Sequence, residues 1–153
     1  MIGYHYTTRE VWEQVQYGSL HPAPMRQHEY DHFRKKTPTL PRDAIWAWKE
    51  ELTNEQALIV LMSLASMHLS FDLVLLRLDY ALSSSAIHIC KEHPDDRLSF
   101  TCSFSAGRLD TGSLPIDLIL FSVPAANITK LWEVDLLAHL QGRHAEENNL
   151  VLV

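Results

Sequence analysis

The stretch Asp72-Leu73-Val74-Leu75-Leu76-Arg77-Leu78 decides how this chain is read. From Leu73 to Leu78 it forms an apolar run broken only by Arg77, and a run of this kind marks a strand covered on both faces. It predicts a buried central strand. Just upstream, Thr53-Asn54-Glu55-Gln56 has the form of a capping box, with a Thr hydroxyl for the N3 amide and a Gln reaching back. That box opens the clearest helical pattern in the chain. Ala57, Leu58, Leu61, Leu64 and Ala65 fall on one face of it. Ala44 to Trp48, ahead of the box, reads as another strand.

Working outward from this core, Gly3 to Thr7 predicts a short opening strand. Thr7-Thr8-Arg9-Glu10 predicts a second capping box with Thr7 at the N-cap. The helix it starts carries Val11, Trp12 and Val15 on one face and stops near Gly18. Residues His21 to Arg42 hold four prolines (Pro22, Pro24, Pro38, Pro41) and read as a long loop with room for a short helix between them. Downstream, Ala86 to Cys90 is a candidate strand. Leu98, Phe100, Cys102 and Phe104 alternate as a half-buried strand does. Asp117 to Val123 predicts a buried strand ending at Pro124, and Ile128 to Leu136 a last one. The tail after Ala138 is polar and is expected to fray. Strands outnumber helices after residue 70 and no βαβ rhythm repeats, so the fold class is α+β in one domain spanning residues 1–153.

Composition narrows the function. Hydrophobic residues make up 46% of the 153 and charged residues 21%, enough apolar material for a core. The formal charge of -6 argues against a sequence-independent grip on nucleic acid, which needs a basic surface. Cys90 and Cys102 make no disulfide framework and read as buried thiols on strands. Met1-Ile2-Gly3-Tyr4-His5 shows no secretory signal, and the most apolar stretch, Ala57 to Leu69, is too short and polar to span a bilayer. A cytoplasmic protein with no membrane partner is expected.

Two sets of residues could carry chemistry. His28-Glu29-Tyr30-Asp31-His32 matches H-E-x-x-H, in which two histidines one helical turn apart bind zinc and the Glu acts as base. Its flanks are basic, no third ligand follows, and a solvated polar segment is the favoured reading; no metal is expected. His88 and His93 beside Cys90 lack a ligand spacing and read as surface histidines. The second set is Tyr4-His5-Tyr6-Thr7, Ala44-Ile45-Trp46-Ala47-Trp48 and Asp117 through Val123. Taken singly these have ordinary structural readings: His5 a core histidine satisfied by a backbone carbonyl, one of Trp46 and Trp48 a core indole, and Asp117 a turn residue after Pro115.

Taken in order, the second set resembles the ADP-ribosyltransferase superfamily, in the branch that includes poly(ADP-ribose) polymerases. There the first strand carries His, Gly, then Ser or Thr, before a helix ending near a Gly; His5, Tyr6, Thr7 and Gly18 follow that order. Ala44-Ile45-Trp46-Ala47 stands where the family has Gly-Ile-Tyr-Phe-Ala. Asp72 to Leu78 matches its next apolar strand, and Asp117 to Leu136 its last block, with Asp for Glu. The resemblance runs from Gly3 to Leu136.

It implies a split antiparallel β-sheet with two main helices, and NAD as substrate. The nicotinamide–ribose bond would break through a cation-like sugar transition state. On that likeness Asp117 stabilises the developing charge or orients the attacking group. His5 holds a ribose hydroxyl, Trp46 stacks on nicotinamide, and Tyr6 or Tyr80 adds a wall, with Thr7 beside His5. A basic side chain (Arg9, Arg26, Arg34 or Arg42) meets the pyrophosphate. The activity implied is ADP-ribosyl transfer to an acceptor that is a protein, a nucleic acid or a small molecule, or NAD hydrolysis. The alternatives are a catalytically silent relative that binds a nucleotide or a protein partner, and a small zinc hydrolase using His28, Glu29 and His32.

Overall fold

The computed structural model describes residues 1–35, 37–81, 86–89, 99–101, 108–110 and 116–142. The chain opens with strand β1 (Ile2–Thr8) and helix α1 (Arg9–Val15). Two short strands follow, β2 (Ser19–Leu20) and β3 (Ala23–Pro24), then helix α2 (Gln27–Arg34) and strand β4 (Asp43–Trp48). Helix α3 (Asn54–His68) leads into β5 (Asp72–Asp79). Strands β6 (Ala86–Ile89), β7 (Ser99–Thr101), β8 (Arg108–Asp110), β9 (Ile116–Ile119) and β10 (Val123–Pro124) precede the long β11 (Ile128–Asp135) and a last helix, α4, over 136–142. The expectations for Cys90, His93, Cys102, Phe104 and the tail past 142 lie outside the described residues, as do the side chains of His28, His32 and His88.

The principal sheet has the order β11-β5-β1-β4-β9-β6, with β3 added beside β4, and these pairings are antiparallel. An α+β architecture with an antiparallel sheet is therefore observed. No described helix is long and apolar enough to cross a membrane.

Why β5 is apolar without a break from Leu73 to Leu76, before the exposed Arg77, is plain from what covers its two faces. Leu73 and Leu75 face the core under α3, with Ala57, Leu61 and Ala65. Val74, Leu76 and Leu78 face a second core, with Val15 of α1 and with Leu20 and Val123. Both faces of the sheet are covered, so neither alternation partner needs to be polar. The strand is not central, however: β11 alone separates it from the sheet's edge. The run reports two covered faces, not a mid-sheet position.

Local chemistry sets the helix starts. At α3 the reciprocal box is complete, with Gln56 N donating to Thr53 Oγ1 at 3.3 Å and Thr53 N donating to Gln56 Oε1 at 3.0 Å. An N-cap of this kind is worth about 1 kcal/mol. At α1 the cap is Thr8 rather than Thr7, its Oγ1 accepting from Val11 N at 3.3 Å. Thr7 and Thr8 both pair with β5, opposite Val74 and Leu73, which holds them extended and moves the helix start one residue on. Glu10 then stands at N2 and no box forms.

The proline-rich segment is more ordered than a loop. Between Pro24 and Pro38 lies α2, tied down where Tyr30 OH donates to Leu40 O at 3.1 Å and Met25 N donates to Arg42 O at 3.0 Å. At the other end of the chain Leu136 leaves the strand and begins α4, where Asp135 Oδ1 accepts from Ala138 N at 3.0 Å. The chain stays helical to 142 instead of fraying after Ala138.

Candidate functional site

Strands β1 and β5 pair over seven consecutive positions, Ile2↔Asp79 to Thr8↔Leu73. On its other side β1 pairs with β4 only at Tyr4↔Trp48. The sheet therefore parts between β1 and β4 just beyond Tyr4. His5 bridges the parting: its Nδ1 lies 2.8 Å from the carbonyl oxygen of Trp46. A carbonyl only accepts, so Nδ1 carries the proton and Nε2 keeps its lone pair. Burial pushes the imidazole below its usual pKa, against the opposite pull of the Trp46 carbonyl. His5 is thus held neutral and oriented.

Behind the parting is a cavity of about 180 Å³. His5 and Tyr6 of β1, Trp46 and Trp48 of β4, Glu29 of α2 and Ser63 of α3 line it, with Arg26 at its polar wall. The two tryptophans share one strand face, being two residues apart. Trp48 is buried and Trp46 half-buried, their rings 5.7 Å apart, and Phe33 of α2 lies 5.6 Å from Trp46. Tyr6 accepts a hydrogen bond from Leu52 N at 3.3 Å and meets Trp132 edge-on at 5.9 Å. Burial pushes its phenol up to about 12, so it stays protonated. A dry cavity of about 150 Å³ holds a benzene ring. This one accordingly has room for a single substituted ring, not for a whole dinucleotide.

The polar wall is built on α2. Arg26, at the N-cap of that helix, donates to Ser63 Oγ at 2.8 Å, contacts Met67 Sδ, and stands 3.9 Å from Glu29 Oε1. Glu29 is only 6% exposed. Burial pushes its carboxyl up to about 7, with Arg26 pulling the other way. Sequence reasoning placed Glu29 in a zinc motif and missed this position. A signal was present: Phe33, one turn on, is a core residue, so Glu29 falls on the buried stripe of α2.

Asp117 does not join the Trp46 indole, although the pairing of His5 with Leu76 starts the His5 side chain on the Asp117 side of the sheet. In the β4–β9 pairing Trp46 stands opposite Leu118, so Asp117 stands opposite Ala47 and faces the other side of the sheet. One residue along a strand reverses the face. Nor is it a turn residue: it lies inside β9, 0% exposed. There it accepts from the Tyr80 hydroxyl and meets Lys49 Nζ at 3.3 Å. Burial and the Asp117 carboxylate raise the Tyr80 pKa and keep that phenol protonated. Tyr80 is thus paired with Asp117 and is no wall of the cavity.

The remaining expected binding residues are spread out. Thr7 is buried in β1 opposite Val74. Arg9 pairs with Glu13 on α1 at 3.3 Å. Arg42 donates to Gln27 Oε1, and Arg34 and Arg42 both lie over the Tyr30 ring, at 4.9 Å and 5.3 Å from its centre. None of these lines the cavity. No family model, no curated protein and no solved structure matches the chain.

Proposed function

We propose that the cavity receives the nicotinamide end of NAD and that the protein cleaves the nicotinamide–ribose bond, passing ADP-ribose to an acceptor or to water. One observation carries this reading: at the two most characteristic positions of the ADP-ribosyltransferase resemblance, the His5 imidazole meets the main-chain carbonyl of Trp46 across a parting in the sheet, and both residues line a ring-sized cavity. An antiparallel sheet with the first and second blocks of the resemblance on neighbouring strands, β1 and β4, supports the same reading. The ring would stack on Trp46, and the neutral His5 would take a ribose hydroxyl. The rest of the dinucleotide would run out over α2, where Arg34 and Arg42 offer positive charge.

Purified protein incubated with NAD is expected to release nicotinamide, and Trp46→Ala to lose both the release and the thermal stabilisation that NAD gives. A ligand at about 100 times its Kd stabilises the folded state by about 2.7 kcal/mol, well within reach of a melting curve. Absence of any release or stabilisation with the wild type ends the reading.

The burial of Asp117 on the opposite face favours a second reading, a silent member that binds a nucleotide without cleaving it. NAD-induced stabilisation without nicotinamide release is its signature. The zinc-hydrolase reading fares worse, because the Arg26 guanidinium beside Glu29 opposes a second cation there.

A further inference from the structure

We infer that Glu29 is the working carboxylate of the cavity, the base that accepts the proton of the attacking oxygen, and that Arg26 is its positioning residue. The inference rests on the NAD-cleaving reading and supplies what that reading lacks once Asp117 is on the far face.

Three observations converge on it. A carboxylate is kept almost out of water among aromatic and aliphatic walls, a costly placement for a charge. The guanidinium near it is fixed by α3 instead of by the carboxylate: Arg26 donates to Ser63 Oγ at 2.8 Å but lies 3.9 Å from Glu29, too long for the bidentate pair that would hold a carboxylate firmly ionised. Finally, α2 is anchored to the sheet, by Phe33 against Trp46 and by Tyr30 to the Leu40 carbonyl. The anchoring fixes Glu29 relative to the indole on which the ring would stack.

The step balances without further reagents. The C1′–N bond breaks and its electron pair stays on the ring nitrogen, so the pyridinium leaves as neutral nicotinamide. The ribosyl cation is captured by the oxygen of water or of an acceptor hydroxyl, forming C1′–O. The proton that oxygen loses passes to Glu29 and then to solvent.

Among the described residues, the chargeable groups that line the cavity with Glu29 are Arg26 at the start of α2 and His5 and Tyr6 on β1. Among the described residues, β4 and α3 face it with uncharged side chains such as Trp46, Trp48 and Ser63. Glu29 titrates near neutrality, at about 7, so its basic form grows across that range.

The test is nicotinamide release by the full chain over a mildly acid to mildly alkaline series. Wild-type kcat is expected to climb with pH and level off above about 7. Glu29→Gln is expected to lower kcat by about 100-fold or more, as loss of a general base does. It should flatten the pH profile and leave NAD-induced stabilisation in place. Glu133→Gln, an exposed carboxylate on β11, serves as control and keeps the wild-type profile. Arg26→Met, the second variant, is expected to move the break to higher pH, because the cation that lowers the Glu29 pKa is gone. A Glu29→Gln enzyme that turns over like an active wild type overturns the inference and leaves the NAD reading standing. An unmoved break in Arg26→Met overturns the role of Arg26. A wild type that binds NAD and never releases nicotinamide overturns the cleavage reading, and the Glu29 role with it.

Discussion

Glu29 and Asp117 are both buried carboxylates, 6% and 0% exposed, on opposite faces of one sheet. Their surroundings differ in kind. Asp117 has a hydroxyl and an ammonium at contact distance and lies in a closely packed core, where a Cβ added to Gly3 would come within 2.9 Å of Ala47 Cβ and the Tyr80 ring. Glu29 has a cation at arm's length and an open cavity before it. Burial alone does not make a functional acid. What matters is whether a ligand has room beside the buried charge. On this comparison the Asp117 face holds the sheet together and the Glu29 face is the one that has room for the proposed chemistry.

The largest expected effect is on the packed face. Asp117→Ala leaves the Lys49 ammonium facing a core without its carboxylate, at a cost of about 3 kcal/mol, the lower end for a broken buried pair because Lys49 is partly exposed. Urea unfolding measures it. If Asp117→Asn instead removes nicotinamide release at an unchanged unfolding midpoint, the division between the faces is broken.

Next comes a gain on the cavity face. Glu29 titrates at about 7 in the folded chain against an ordinary 4.5. Between those values the folded state holds more protons than the unfolded, so stability falls as pH rises through the window. Glu29→Gln mimics the protonated form and is expected to stabilise the protein by up to about 3 kcal/mol above pH 7, with little gain below 4.5. Equal gains at both ends would show that the Glu29 pKa is the same in the folded and unfolded states. A variant that is more stable and inactive fits a site that sacrifices stability for function.

The smallest effect sharpens the contrast in packing. Gly3→Ala is expected to cost about 1 to 2 kcal/mol, because Ala47 is held by its strand and Tyr80 by Asp117, so neither yields to the new methyl. A neutral Gly3→Ala would mean that this face is looser than the geometry says.

Much of the secondary structure could be read directly. The Thr53–Gln56 box and the Asp72–Leu78 run depend on local hydrogen bonding and local polarity, and both fall where the pattern puts them. Thr8 replaced Thr7 as a cap because a distant strand, β5, holds both residues extended, a constraint that no neighbour in sequence expresses. At the site, His5 and Trp46 were legible as a pair. Asp117 was not, since the apolar residues beside it on β9 suit either face equally well. Glu29 was hidden by a stronger-looking motif, although its spacing to Phe33 was visible.

The sequence by itself determined where the Thr53–Gln56 helix and the Asp72–Leu78 strand form, that this strand would be covered on both faces, and that the fold mixes helices with strands. Those are properties of local periodicity and composition. Only the tertiary structure decided that β1 and β4 part beside His5, that Asp117 turns away from Trp46, and that Glu29 turns toward it. Each depends on register between segments far apart in the chain, 41 residues for the His5–Trp46 contact. A slip of one residue reverses every side chain on a strand without altering the pattern that predicted it.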